Sequence, residues 1–189
     1  MKNKALIISG VAAGLILIYG VTSYNGLVVA QENVSNKYSQ VDNQLKRRAD
    51  LIPNLVESVK GYTKHEQKAI DSVTNARAQL AGAKTPADKA AADQELSGAL
   101  SRLLVVAENY PNLKADKNYQ SLMDSLEGTE NRLSVARKDY NDKVTVYNNK
   151  IKKFPKNIIA NLFNFDKKQY FETTEQEKET PKVDFGSDN

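Results

Sequence analysis

Val34-Ser-Asn-Lys-Tyr-Ser-Gln-Val-Asp-Asn-Gln-Leu-Lys-Arg-Arg-Ala-Asp-Leu-Ile-Pro-Asn-Leu-Val-Glu-Ser-Val59 is the stretch whose reading decides the fold. Its apolar or aromatic positions, Val34, Tyr38, Val41, Leu45, Ile52, Leu55 and Val59, follow alternating steps of four and three, with Arg48 at the one skipped position. That period belongs to a long amphipathic helix with a narrow apolar seam. Pro53 removes one backbone donor and crowds the preceding turn, so a bend near Asp50 is expected.

Upstream of the seam the chain changes character. No charged residue occurs from Ala5 to Gln31, and the run Ala5-Leu-Ile-Ile-Ser-Gly-Val-Ala-Ala-Gly-Leu-Ile-Leu-Ile-Tyr-Gly-Val21 is almost wholly apolar. About 20 such residues cross a bilayer as a helix, which makes the lipid bilayer the first expected partner. The competing reading is a cleaved signal peptide, with Lys2 and Lys4 as its basic region and Val28-Val29-Ala30 as an acceptable cleavage site. The stretch is long for that purpose, and the helical pattern begins directly behind it. Lys2 and Lys4 favour a cytoplasmic N-terminus, whereas Lys37, Lys46, Arg47 and Arg48 favour a cytoplasmic domain.

Downstream, Gly61 weakens the helix and Thr63-Lys-His-Glu66 offers a capping box for a second, through Ile70, Val73, Ala76, Arg77 and Leu80. The alternative is one bent helix from Val28 to Leu80. Thr85-Pro86-Ala87-Asp88 opens a third helix, with Thr85 as cap and Pro86 at its first position, carrying Leu96, Leu100, Leu103, Ala107 and Tyr110 to a stop at Pro111. Asp116 caps a fourth, whose seam runs from Tyr119 through Leu133, Tyr140 and Tyr147 to Phe154, before Pro155. Segments of about 33, 17, 22 and 42 residues span roughly 50, 25, 33 and 63 Å, which closes as an up-down-up-down bundle. The expected fold class is therefore all-α: a transmembrane helix followed by a four-helix bundle with long helices. The expected divisions are a basic N-terminus (1–4), an anchor (5–27), the bundle (28–165) and a mostly disordered acidic tail (166–189).

This arrangement returns Lys150-Ile-Lys-Lys-Phe-Pro-Lys156 towards the bilayer, followed by Ile158, Ile159, Leu162, Phe163 and Phe165. Lys150, Lys152, Lys153, Lys156, Phe163 and Phe165 thus form a candidate membrane-surface segment. In the alternative, the hydrophobes plug the end of the bundle and the lysines are solvated.

Bulk composition narrows the function. The 189 residues are 40% hydrophobic and 26% charged, suiting one domain plus an anchor. Twenty-seven basic residues, less Lys2 and Lys4, leave 25 against 23 acidic ones, too even a balance for nucleic-acid binding. Without Cys there is no disulfide or thiolate metal site. His65 is the sole histidine and has Tyr62 three residues before it, so the paired Glu-x-x-His motifs of a di-iron bundle are missing. No phosphate loop, zinc pattern or defensible nucleophile constellation occurs, and no enzyme or cofactor is expected. Arg48 on the seam needs partners, and Asp50, Asn54, Glu57, Arg77, Glu108, Glu130, Asn131, Arg137 and Asn141 are the candidates for a polar network. It reads either as register-setting structure or as a functional groove.

Three groups of motifs carry a resemblance: Gln44-Leu-Lys-Arg-Arg-Ala-Asp-Leu-Ile-Pro-Asn-Leu-Val56 with Gly61-Tyr62 and His65-Glu66; Glu108-Asn-Tyr-Pro-Asn-Leu-Lys114; and Thr129-Glu-Asn-Arg132, Ala136-Arg137, Tyr140-Asn141, Tyr147-Asn148, Phe154-Pro155 and Tyr170-Phe171-Glu172. In this order they resemble the LemA family, over roughly Tyr24 to Phe185. The resemblance implies a single-pass protein of the bacterial cell membrane, with a four-helix bundle on the cytoplasmic face. It implies no agreed activity, and the family's name is shared with an unrelated sensor kinase whose signature is absent here. Members are often encoded near membrane proteases or their helpers, which suggests an accessory role in envelope maintenance. The expected function is a membrane-anchored interaction or scaffold protein engaging a membrane or membrane-associated protein. The alternative is a small-ligand or hydrolytic site in a polar cleft lined by Arg48, Glu108, Glu130 and Arg137.

Overall fold

The computed structural model describes residues 2–63 and 66–172; the expectations for His65 and for the tail from residue 173 lie outside them. Each described element is a helix: α1 (Lys2–Lys60), α2 (Gln67–Gly82), α3 (Pro86–Ala107), α4 (Pro111–Lys114), α5 (Lys117–Lys152) and α6 (Lys156–Leu162). The fold is all-α, with a long N-terminal helix and the expected long helices behind it. Two short helices, α4 and α6, are additions to the four-helix reading, and both follow prolines: Pro111 opens α4, and Pro155 precedes α6. Each proline ends one helix and starts another, because its fixed φ suits a first turn and its missing N–H would be unpaired there anyway.

No break separates anchor from domain, since α1 is helical throughout. The helix also passes Pro53 without interruption. Pro53 has no N–H for the carbonyl of Ala49 four residues earlier. Arg77 Nε of α2 donates to that oxygen at 2.8 Å. A side chain thus replaces the lost backbone bond.

The chain divides into two compact units. The first comprises Met1–Arg48 and Ser125–Tyr170. In it Tyr38 meets Tyr140, ring centroids 5.5 Å apart, and ten residues on Arg48 meets Glu130, ten residues back. α1 and α5 are therefore antiparallel here. Leu27, Ala30, Val34, Val41 and Leu45 of α1 and Leu126, Leu133, Ala136, Tyr140, Val144 and Tyr147 of α5 are buried. Burying each large apolar side chain contributes about 1.5–3 kcal/mol.

The second unit comprises Ala49–Asp124 with the chain from Phe171. Its buried residues include Ile52, Leu55 and Val59 of α1, Ile70, Val73 and Leu80 of α2, Leu96, Leu100 and Leu103 of α3, and Leu113 of α4. Its caps explain its turns. Thr85 Oγ1 accepts from the Asp88 N–H at 3.1 Å while Asp88 Oδ2 accepts from the Thr85 N–H, a reciprocal box at the start of α3. Asp116 Oδ1 accepts from the N–H groups of Asn118 and Tyr119 at the start of α5, as its sequence position suggests. These bonds, Tyr119 first, and the Tyr62 hydroxyl on Asp116 Oδ2 hold the Asp116 carboxyl below its usual pKa.

Thr63 differs from expectation. Its hydroxyl donates back to Val59 O at 3.1 Å, closing the end of α1, and α2 starts at Gln67 without a side-chain cap. The one-helix alternative across Gly61 also fails: α1 ends at Lys60, and the Gly61, Tyr62 and Thr63 N–H groups bond the last carbonyls of α1.

Candidate functional site

The ten-residue polar network resolves into smaller groups. Arg48 is 6% exposed, and its guanidinium lies 2.9 Å from Glu130 Oε2. The other Glu130 oxygen accepts from Arg137 at 2.6 Å. One carboxylate is thus shared by two guanidinium groups, an arrangement of net charge +1. Removing the carboxylate would leave a buried guanidinium without it, which is the costly way to break such a pair. Arg77 is used at Ala49 O in the second unit. Glu57 pairs with Lys60 and Glu108 with Lys114, both on exposed side chains. Asp50, Asn54 and Asn131 are exposed, and Asn141 is half-buried. The proposed cleft residue Glu108 is accordingly a surface partner of a neighbouring lysine, and a pair of that kind contributes little.

A second polar group went unread in the sequence. Asn148 Nδ2 donates to Lys168 O at 2.9 Å, and the Lys168 N–H donates to Asn148 Oδ1 at 2.9 Å. Two turns earlier on α5, the Tyr140 hydroxyl donates to Gln169 O at 2.7 Å. Thr145 Oγ1 bonds the Tyr170 hydroxyl at 3.2 Å. Together these hold residues 168–170 along α5, and Phe171 is buried. Residues 168–170 are therefore held against α5, within the stretch where the expected acidic tail begins. The signal was present as the spacing of Tyr140 and Asn148 and as Tyr170-Phe171. Burial, and secondarily the neighbouring Tyr38, pushes the Tyr140 phenol up to about 12. Tyr147 is fully buried with no hydrogen-bond partner for its hydroxyl among the described residues, and burial raises its pKa too.

The third feature is apolar. Ile8, Val11, Leu15, Ile16, Leu17, Ile18 and Val21 are each 59–72% exposed on α1. Four consecutive members of this set, Leu15 to Ile18, face every direction round the helix, so no single packing face exists. This helix is long and apolar enough to cross a membrane, with a mean hydropathy of 1.5 in its apolar window. Thr22 in this stretch satisfies its hydroxyl within the helix, Oγ1 donating to Ile18 O at 2.9 Å. Among the candidate surface residues, Lys152, Lys153 and Phe163 are exposed, and Lys150, Lys156 and Phe165 are half-buried. Among the described residues no three His, Cys, Asp or Glu side chains gather as a metal site.

Residues 37–185 match the model of the LemA family. The chain belongs to the LemA family. A relative called protein LemA, from Metamycoplasma hominis, is 25% identical over 158 residues, covering 82% of this chain and 71% of its own length. Magnetosome protein MamQ 1 of Paramagnetospirillum magneticum is 27% identical over 175 residues, covering 79% of this chain. Magnetosome protein MamQ of Magnetospirillum gryphiswaldense is 25% identical over 174 residues, covering 78%. The chain spans 64% of the length of either magnetosome protein. In the LemA frame the chain is a membrane-associated protein without a catalytic metal or cysteine site among the described residues.

Proposed function

We propose that this LemA-family chain is a non-enzymatic interaction module held at the bacterial cell membrane by α1, with its helical domain on the cytoplasmic face. The observation that carries this reading is the continuity of α1. The exposed apolar stretch passes into the buried seam within one helix, so membrane and domain are joined without a flexible linker. A rigid join holds the domain's surface at a fixed height and raises its local concentration against other membrane-bound proteins. The partner is then a membrane or membrane-associated protein, and a role beside envelope proteases is consistent with tethering. The lysines of residues 150–168 add positive charge on the domain side of the apolar stretch, which favours a cytoplasmic domain over a cytoplasmic N-terminus. The polar trio Arg48, Glu130 and Arg137 supports register-setting rather than ligand capture, because the carboxylate is already shared by two cations.

Photo-crosslinking in intact cells from the exposed positions Val105, Val135 and Val146, followed by mass spectrometry, tests the module. Reproducible capture of one membrane protein from a defined position is expected. No capture at any position, together with a metabolite co-purifying with the chain, would overturn it.

A further inference from the structure

The outer face of α6 is apolar and uncovered. Phe154 is 80% exposed, Ile158 56% and Leu162 69%, with Ile158 and Leu162 one turn apart on the same side. The opposite side is seated on α1. Ala160 is buried, and Ile159 Cδ1 lies 3.9 Å from where a Cβ on Gly20 would stand. The Tyr24 ring meets Phe163 at 4.8 Å and Phe165 at 5.6 Å between centroids. All these residues belong to the first unit.

The seat fixes a depth. From Ala5 to Tyr24 α1 rises about 30 Å, the thickness of a bilayer's hydrocarbon core. A segment packed against Gly20 and Tyr24 therefore lies where acyl chains give way to headgroups. Its flanks have the matching charge: Lys150, Lys152, Lys153, Lys156, Lys167 and Lys168 surround it, against Asp166 alone.

We propose that α6 is a second membrane contact, an interfacial segment that lays Phe154, Ile158 and Leu162 into the same bilayer that α1 crosses and sets its lysines against anionic headgroups. This rests on α1 spanning the membrane. The occupant is lipid because α6 is seated at Gly20 and Tyr24, beside Leu17 and Val21 in sequence, which are themselves 70% and 61% exposed, and the basic flank complements anionic lipid. A single span leaves a domain free to swivel about the helix axis. A second contact beside it stops that rotation, so α6 sets which face of the domain looks along the membrane.

The chain contains no Trp, so one introduced indole reports alone. Full-length Leu162→Trp, Phe154→Trp, Ile16→Trp and Val135→Trp are reconstituted into phosphatidylcholine vesicles with and without phosphatidylglycerol, carrying acyl chains brominated near the headgroup for the α6 and α5 reporters and near the terminal methyl for Ile16→Trp at mid-span. Leu162→Trp and Phe154→Trp lose most of their emission, as Ile16→Trp does, while Val135→Trp on α5 keeps its own. The quenching at Leu162→Trp weakens when phosphatidylglycerol is left out. If Ile16→Trp is quenched and both α6 reporters behave like Val135→Trp, α6 is not in the bilayer and the proposal fails while the span stands. If Ile16→Trp is also unquenched, the spanning reading fails and takes the proposal with it. Quenching indifferent to phosphatidylglycerol overturns the role given to the lysines.

Discussion

Along α1, Ile8 to Val21 and Leu27 to Leu45 carry comparable apolar side chains and expose them in opposite ways. In the earlier stretch Ile8, Val11, Leu15 to Ile18 and Val21 stand 59–72% exposed; in the later one Leu27, Val34, Val41 and Leu45 are at most 4% exposed. The helix is the same, and so is the chemistry of the side chains. What differs is what covers them. After Val29, itself 60% exposed, the apolar positions narrow to a stripe packed against α5, with Glu32, Lys37 and Asp42 interspersed outside that stripe. Before Tyr24 they occupy every direction, which only a solvent that is itself apolar can satisfy.

A single carboxylate placed in each stretch separates the two most strongly. Val41→Asp puts a charge at a fully buried position and is expected to cost more than about 4 kcal/mol, abolishing the cooperative thermal transition followed by circular dichroism in detergent. Leu17→Asp should leave that transition in place and instead lower the membrane-bound fraction, since an acidic residue at mid-span costs about 3 kcal/mol of insertion. Equal melting of both variants would erase the distinction.

Charge inside the buried stretch should matter according to how it is covered. Glu130→Gln removes the carboxylate that faces the buried Arg48; because Glu130 is itself 42% exposed, a loss of about 2 kcal/mol is expected in denaturant titration. Lys37→Ala, which breaks the more exposed pair with Asp139, should cost under about 1 kcal/mol. Arg48→Leu sharpens the assignment: a fully stable protein that has lost its cellular function would turn the trio from a register device into a binding site.

Arg77 gives a cycle with a defined sign. Arg77→Met should cost about 1–2 kcal/mol by orphaning Ala49 O, and Pro53→Ala restores a backbone donor for that same oxygen. The double variant should therefore lose less than Arg77→Met alone. Additive losses would mean that Arg77 acts through something other than the gap left by the proline.

Much of this was legible from the chain. The four-three stepping placed Arg48 on the seam, the Thr85 and Asp116 caps come from local side-chain chemistry, and the run from Ala5 declared itself by lacking charge. Local rules failed where the partner is distant in sequence or lies on the other side of a turn. Thr63 reads as a cap for the second helix, yet its hydroxyl finds the carbonyl of Val59 behind it. Nothing local at Pro53 announces that Arg77 will supply the missing donor. Residues 168–170 fall within the stretch read as tail, and their hold comes from Tyr140 and Asn148 on another element. Of the ten polar candidates Arg48, Glu130 and Arg137 form one group while Arg77, Glu57 and Glu108 are engaged elsewhere, since type and helical phase do not say which charges will be covered.

The smallest expected effects concern two buried tyrosines. Tyr140→Phe should cost about 1 kcal/mol through the lost bond to Gln169, whereas Tyr147→Phe, which removes a hydroxyl without a partner among the described residues, should be neutral or slightly stabilising. The Tyr140 phenol ionises near 10 in the unfolded chain and is pushed up to about 12 in the fold. Its stabilising contribution is thus complete below pH 10 and is lost as pH rises towards 12. An alkaline melt should show that loss, reduced in Tyr140→Phe.

The lipid-facing reading of the earlier stretch is tested most directly by labelling. The chain has no Cys, so Asn3→Cys, Leu17→Cys and Glu32→Cys each give one thiol to a membrane-impermeant maleimide. In intact cells whose outer barrier admits the reagent, Asn3→Cys should label, Glu32→Cys only after the membrane is opened, and Leu17→Cys under neither condition. Labelling of Asn3→Cys and Glu32→Cys from the same side, with Leu17→Cys reacting freely, would contradict a membrane-spanning α1.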